Sequence, residues 1–81
     1  MHAEGSEARI TLAFGLCQVG DPDLALATLL EVSKPTPYAH AVTAVASAMA
    51  GMPERALTES QLVVDDETST YLDRVLADIA A

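Results

Sequence analysis

The side chains of this chain that could carry chemistry are few, and their spacing gives them no partners. His40 has no acidic residue three or four positions away, so a helix would bring no carboxylate beside it to make it a general base. His2 lies in a polar N-terminal segment that we expect to be disordered. Two histidines without ligand spacing make no metal site.

The remaining nucleophiles and the glycines are also poorly placed for catalysis. Cys17 is the only cysteine and stands among apolar residues, which predicts a small buried hydrophobe and excludes an intramolecular disulfide. Neither Cys17 nor Ser47 has a neighbouring base to activate it. Gly20 and Gly51 are each followed by a proline two positions later, which removes a backbone donor that a phosphate loop needs. We therefore predict no catalytic residue, no metal ligand and no cofactor, and a protein that is not an enzyme.

Charge and hydropathy exclude further classes of partner. Four basic residues stand against twelve acidic ones, for a formal net charge of −8. Nucleic acids and anionic membrane surfaces are bound through Lys and Arg, so neither partner is expected. No run approaches the roughly 18 apolar residues of a membrane span, and the N-terminal segment lacks the apolar core of a signal peptide. We expect a cytoplasmic protein whose acids form a solvated surface or meet a basic partner, and the richness in Ala and Leu suggests a bacterial source.

One pattern occurs twice and organises the chain. Gly, any residue, Pro, an acid, any residue, Ala and Leu occupy positions 20–26 and again 51–57, an offset of 31 residues. Gly commonly ends a helix, and Pro followed by an acid is favoured in the first turn of the next one. Each copy is therefore predicted to be a joint between two helices. Repetition at such an offset is typical of a stacked array of helical hairpins.

Stop and start residues divide the sequence into five predicted helices. They span about 6–19, 22–34, 37–50, 53–64 and 69–80. Ser6, Asp21 and Thr36 are the predicted N-caps, and Lys34 with Pro35 is expected to close the second helix. The chain is 51% hydrophobic but only 4% aromatic, so its core must be built from small aliphatic side chains that let helix axes approach closely.

Helical periodicity assigns the apolar faces. The first helix has one stripe of Ile10, Ala13, Phe14 and Cys17 and a second of Leu12, Leu16 and Val19. A helix that is apolar on two adjacent sides is usually sandwiched between neighbours. The third helix has apolar rows of Ala39, Val42, Val45, Ala46 and Met49.

The last two helices show charged outer faces. Arg55 and Glu59 are spaced to form an exposed ion pair on the fourth helix. The fifth helix has an apolar stripe of Tyr71, Leu72, Val75, Leu76 and Ile79, with Asp73, Arg74 and Asp78 on the other side.

The hairpins resemble tetratricopeptide repeats, whose units of about 34 residues carry W-x2-L-G-x2-Y, A-x3-F and P in order. In the first unit the pattern falls on Arg9, Leu12, Ala13, Leu16, Ala25, Leu29 and Pro37. In the second unit Ala44 and Ala56 match its small positions, whereas it departs from the pattern at His40, Thr43, Ser47, Ser60 and Thr68. The resemblance covers most of residues 7 to 67.

The resemblance implies an all-α fold in which antiparallel hairpins stack as a short right-handed superhelix. Repeat 1 would span 7–35 and repeat 2 would span 36–66. Adding the offset of 31 to Gly51 gives a position just beyond residue 81. Residues 67–81 would therefore form a terminal helix, either a cap or the first helix of a truncated third repeat.

In this family the first helices of successive units line a groove that receives peptides or partner helices. The positions that the resemblance places there are Ile10, Phe14, Cys17, Tyr38, Ala41, Val45 and Ala48. They are apolar and fit an apolar peptide or amphipathic helix, and the alternative is that packing within the domain or a second copy covers them. The family's carboxylate clamp needs Asn, which this chain lacks. The implied function is a non-catalytic protein-interaction module, part of a larger regulator or scaffold; the alternative is self-association as a homodimer or oligomer.

Overall fold

Five α-helices make up the part of the chain that the computed structural model describes, residues 2–32, 36–66 and 71–80. They are α1 (His2–Gln18), α2 (Pro22–Leu29), α3 (Pro37–Met49), α4 (Pro53–Asp65) and α5 (Tyr71–Ala80). No strand occurs in these ranges. The predicted all-α class and the five helices are confirmed.

The two predicted joints have the same backbone geometry. Gly20 and Gly51 adopt φ angles of 86° and 81°, in the left-handed region. The Asp21 amide donates to the Leu16 carbonyl (2.9 Å), and the Met52 amide donates to the Ser47 carbonyl (2.8 Å). Bonds of this reach close the last turn of a helix in a Schellman motif. Gly ends a helix at both joints, as the repeated pattern predicts.

Capping side chains start the second and third helices where the sequence places them. The Leu24 amide donates to Oδ1 of Asp21, and the Ala39 amide donates to Oγ1 of Thr36, each at 3.2 Å. Pro22 and Pro37 occupy the first helical position. These bonds satisfy amides that have no carbonyl partner in a first turn.

Two predicted helix boundaries are wrong. Helix α1 begins at His2, so Ser6 lies inside it rather than capping it, and the predicted disorder around His2 is not found. Residues 2–5 include good helix formers and no proline, so nothing in their chemistry stops the helix. Helix α2 ends at Leu29, followed by tight i→i+3 bonds such as Glu31 N to Thr28 O. The predicted stop at 34–35 and start at 69 lie outside the described residues.

Helix α3 is the centre of the fold, since it packs against α1, α2, α4 and α5. Ala39, Ala41, Ala44 and Ala46 are buried along its length. One core cluster joins α3 to the first hairpin and contains Ile10, Ala13, Cys17, Ala25, Val32, Ala39, Val42 and Ala46. A second cluster joins α3 to α4 and α5 and contains Ala41, Val63, Leu76 and Ala77. Small side chains on α3 thus allow helices to pack around it on several sides.

The two apolar stripes of α1 differ in burial. The first stripe is buried at Ile10 and Cys17, as predicted. In the second stripe Leu16 packs against the first core cluster, but the prediction is wrong for Leu12 and Val19, which are 56% and 78% exposed. The reason is that α1 packs only against α2 and α3 among the described helices, which leaves its far side uncovered. Met49, expected in an apolar row of α3, is likewise exposed.

Helix α5 is rotated relative to the predicted orientation. Asp73, predicted to face outward, is buried, whereas Ile79 is 71% exposed. The contact with α3 and α4 is made through Leu76 and Ala77, and Asp73 lies one turn earlier on the same side. The Ser60 hydroxyl donates to the Ala77 carbonyl across this contact (3.1 Å).

Exchanging glycine for alanine is predicted to have opposite effects at two places in this fold. An added Cβ meets nothing within 4 Å at either Gly51 or Gly15, so only backbone conformation decides the result. Gly51→Ala forces a left-handed alanine and should lower the free energy of unfolding by about 1–2 kcal/mol. Gly15→Ala lies within α1 and should raise it by about 0.5–1 kcal/mol. Urea denaturation of both variants checks the signs, and a destabilised Gly15→Ala would contradict the helix.

Candidate interaction surfaces

Four of the seven residues predicted to line a groove keep exposed surface in the structure. Phe14, Tyr38 and Val45 are half-buried and pack against both core clusters, and Ala48 is exposed. We call these four residues the first-helix groove. They are the predicted site residues that keep surface available to a partner.

The other predicted groove residues are not accessible. Ile10, Cys17 and Ala41 are each at most 3% exposed, so for these three residues the alternative holds that packing within the domain covers them, and they do not line a groove. Ile10 and Cys17 share a cluster with the α3 side chains that cover them, and Ala41 shares one with Leu76 of α5. The contacts of α1 with α3 and of α3 with α5 therefore bury these positions.

Cys17 behaves as the buried hydrophobe that its sequence context predicts. It is free and lies inside the first core cluster. Burial raises the pKa of its thiol, because the charged thiolate would lose hydration there. The thiol is the unreactive form, so the position contributes packing rather than chemistry.

A concave surface lies between α2 on one wall and α3 with α4 on the other. We call it the outer cleft; its volume is about 210 Å³. Its lining contains the aliphatic residues Leu26, Leu29, Leu30, Val32 and Ala39 and the polar residues His40, Thr43, Arg55 and Glu59. The sequence did not predict this surface, because its residues come from α2, α3 and α4 and meet only in the folded chain.

A partly buried polar pair, His40 and Glu59, joins α3 to α4 at the outer cleft. The Glu59 carboxylate accepts a hydrogen bond from Nδ1 of His40 (2.7 Å), and the two side chains are 26% and 18% exposed. His40 thus has an acidic partner that sequence spacing could not reveal, since it comes from the facing helix. The predicted pair of Arg55 with Glu59 is wrong: within the described residues, Glu59 bonds to His40 instead.

The first hairpin holds a related pair, in which Arg9 is the equivalent of His40 but the acid comes from a different position. Nε of Arg9 lies 3.3 Å from Oε1 of Glu31, with side chains 50% and 64% exposed. Arg9 and His40 are separated by the repeat offset of 31. In both hairpins a side chain at this position of the first helix therefore reaches an acid of the second half of the unit.

The Thr43 hydroxyl beside His40 is held by the backbone. Thr43 donates to the Ala39 carbonyl at 2.7 Å, so its proton is directed away from His40. Ser47 is buried, and its Oγ has no hydrogen-bond partner among the described residues. In the described parts of the chain no three His, Cys, Asp or Glu side chains converge on one point as metal ligands would.

Large apolar side chains are exposed on several faces of the molecule. Those in the described residues are Leu12, Val19, Leu24, Leu30, Met49, Met52, Leu57, Leu62, Val64 and Ile79. Single exposed apolar residues are normal, but contiguous ones mark interaction surfaces. None of the described helices has the length and apolar character needed to cross a bilayer.

Comparison with known proteins adds no relative. No family model, no curated protein and no solved structure matches the chain.

The His40–Glu59 pair is predicted to couple α3 to α4 more strongly than the exposed pair couples the first hairpin. A double-mutant cycle with His40→Ala and Glu59→Ala should give a coupling of about 0.5–1.5 kcal/mol, because the hydrogen bond is partly shielded from water. The matched cycle at Arg9 and Glu31 should give less than about 0.5 kcal/mol. Denaturation of the six variants measures both. Equal couplings would contradict the difference in burial.

Proposed function

We propose that this chain is a non-catalytic, tetratricopeptide-like interaction module that binds an apolar peptide or helix across its first helices. The order of helix packing supports the proposal. Helices α1 and α2 pack together, α3 packs on both of them, and α5 packs in the same way on α3 and α4. Two joints of equal geometry at the offset of 31 residues add to this.

The observation that carries the proposal is the first-helix groove. Phe14, Tyr38 and Val45 are partly exposed where the two core clusters meet, and Ala48 is open beside them. Partly exposed apolar surface at this place suits an amphipathic helix that buries its own apolar face. Since the chain has a net charge of −8, basic residues flanking that apolar face would strengthen the attraction. We infer that the chain is part of a larger regulator or scaffold protein in the cytoplasm.

Ala48 is the best position at which to test this function. Phe14 and Tyr38 pack against both clusters, so shortening them changes stability as well as the surface. Ala48 is exposed near the C-terminal end of α3, where a cation is well tolerated. Ala48→Lys should place a charge in the groove and leave the fold unchanged.

Selection of peptides from a random phage-displayed library against the immobilised chain gives the probe. We expect the selected peptides to have apolar residues at helical spacing, and their affinity to fall at least about tenfold for Ala48→Lys, since a desolvated charge is costly. The control is Ala27→Lys, the same substitution on the exposed side of α2. If both variants bind equally well, the groove is not the site.

Self-association is the second candidate function, favoured by a specific observation. Leu12 and Val19 are exposed on α1, and Ile79 is exposed on α5, at opposite ends of the helix order. Sedimentation velocity over a hundredfold range of concentration tests this candidate. A mass that rises with concentration supports it, and a monomer throughout contradicts it.

A further inference from the structure

We propose that copies of this chain associate head to tail, with α1 of one copy packed against α5 of the next. The inference rests on the second proposed function, self-association, and specifies its surfaces. Its basis is that an interface of this kind already occurs twice within the chain, between α1 and α3 and between α3 and α5.

Each internal interface joins two defined faces. Helix α3 buries Val42 and Ala46 in the same cluster as Ile10 of α1. One offset of 31 residues further on, α5 buries Asp73 and Ala77. Ala77 lies in a cluster with Ala41, which is the equivalent of Ile10. We call the face of α3 that carries Val42 and Ala46, and its equivalent on α5, the docking face. The face of α1 that carries Ile10, and its equivalent on α3 with Ala41, is the receiving face.

The docking face of α1 is open. Ala8, Thr11 and Gly15 are the equivalents of Ala39, Val42 and Ala46. Ala8 and Thr11 are exposed, and the neighbouring Leu12 is 56% exposed. A Cβ added at Gly15 would meet nothing within 4 Å. The surface that α3 buries against the first hairpin is thus uncovered in α1.

The receiving face of α5 is open as well. Val75 and Ile79 lie two offsets of 31 residues after Ala13 and Cys17, which are buried on α1 in the cluster that contains Val42 and Ala46 of α3. Val75 is half-buried and Ile79 is 71% exposed. Across the α1–α3 interface, Cys17 shares a cluster with Ala46. Ile79 is larger than its equivalent Cys17, and Gly15 is smaller than its equivalent Ala46. The enlarged receiving face and the reduced docking face therefore complement each other in size.

A second copy of the chain is the occupant that this geometry selects. The chain already packs a docking face onto a receiving face in its interior, so the same contact between copies continues an existing interface. Because the two faces differ, the contact is heterologous, and it produces open chains or rings rather than a two-fold dimer.

Two variants block the faces separately without disturbing the core. Gly15→Glu places a carboxylate on the docking face and improves helix propensity. Ile79→Glu places one on the receiving face, where the side chain is exposed. Ala27→Glu, on the exposed side of α2, is the control for added negative charge. Light scattering after size-exclusion chromatography measures the mass of each variant and of mixtures.

We expect the wild type and Ala27→Glu to gain mass with concentration. Gly15→Glu and Ile79→Glu alone should associate at least about tenfold more weakly. Their equimolar mixture should form a one-to-one heterodimer, because each supplies the face that the other lacks.

The failures of this inference and of self-association are distinguishable. A wild type that stays monomeric at every concentration overturns both. If the wild type associates but the mixture forms no heterodimer, or if only one of the two substitutions has an effect, the head-to-tail arrangement is overturned and self-association through another surface stands.

Discussion

Replacing Phe14 with alanine is expected to lower the free energy of unfolding by about 2–4 kcal/mol. Phe14 is the only phenylalanine of the chain, and its ring packs against both core clusters. Its loss removes contacts with the first hairpin and with the α3–α4–α5 cluster together. The value lies somewhat below that of a fully buried ring because Phe14 keeps part of its surface in water.

Leu12→Ala is the matched control for this prediction. Leu12 lies on the same helix two residues earlier and is 56% exposed, so its truncation should cost less than about 0.5 kcal/mol. Chemical denaturation followed by circular dichroism measures both variants. Comparable losses at the two positions would show that α1 is oriented differently.

Replacing Ala46 with leucine is expected to destabilise the chain by about 2–3 kcal/mol. Ala46 is fully buried in the cluster where α3 meets the first hairpin. A leucine there has no space, so either α3 moves away from α1 and α2 or the side chain adopts a strained rotamer. For a domain of this size the loss is a large fraction of the total stability.

Ala48→Leu serves as the control for the overpacked variant. It is the same substitution two residues later on α3, at an exposed position, and should change the free energy of unfolding by less than about 0.5 kcal/mol. Denaturation midpoints of the two variants give the comparison. Similar midpoints would contradict the close approach of α3 to the first hairpin.

Features fixed by local chemistry were predictable from the sequence. The caps at Asp21 and Thr36 and the left-handed glycines at 20 and 51 depend on residues within one turn of each other. Such short-range patterns also give the number of helices. The division into two repeats and a terminal helix stays a prediction.

Features fixed by contacts between helices were not predictable. The partner of His40 is Glu59 on the facing helix, and sequence spacing within one helix cannot show it. Asp73 is buried because α5 packs through the face equivalent to that of Val42 and Ala46 on α3. The hydrophobic pattern had predicted that Ile79 would lie in this contact. Ile10 is likewise absent from the groove surface, because α3 packs over it.

Backbone and methyl NMR shift mapping with a selected peptide decides whether the first-helix groove binds an apolar helix. We expect the largest changes on Phe14, Tyr38, Val45 and Ala48. Leu30 and Arg55, which line the outer cleft and not the first-helix groove, should change little. Shifts concentrated around the outer cleft, or no selected peptide that binds at all, would contradict the claim.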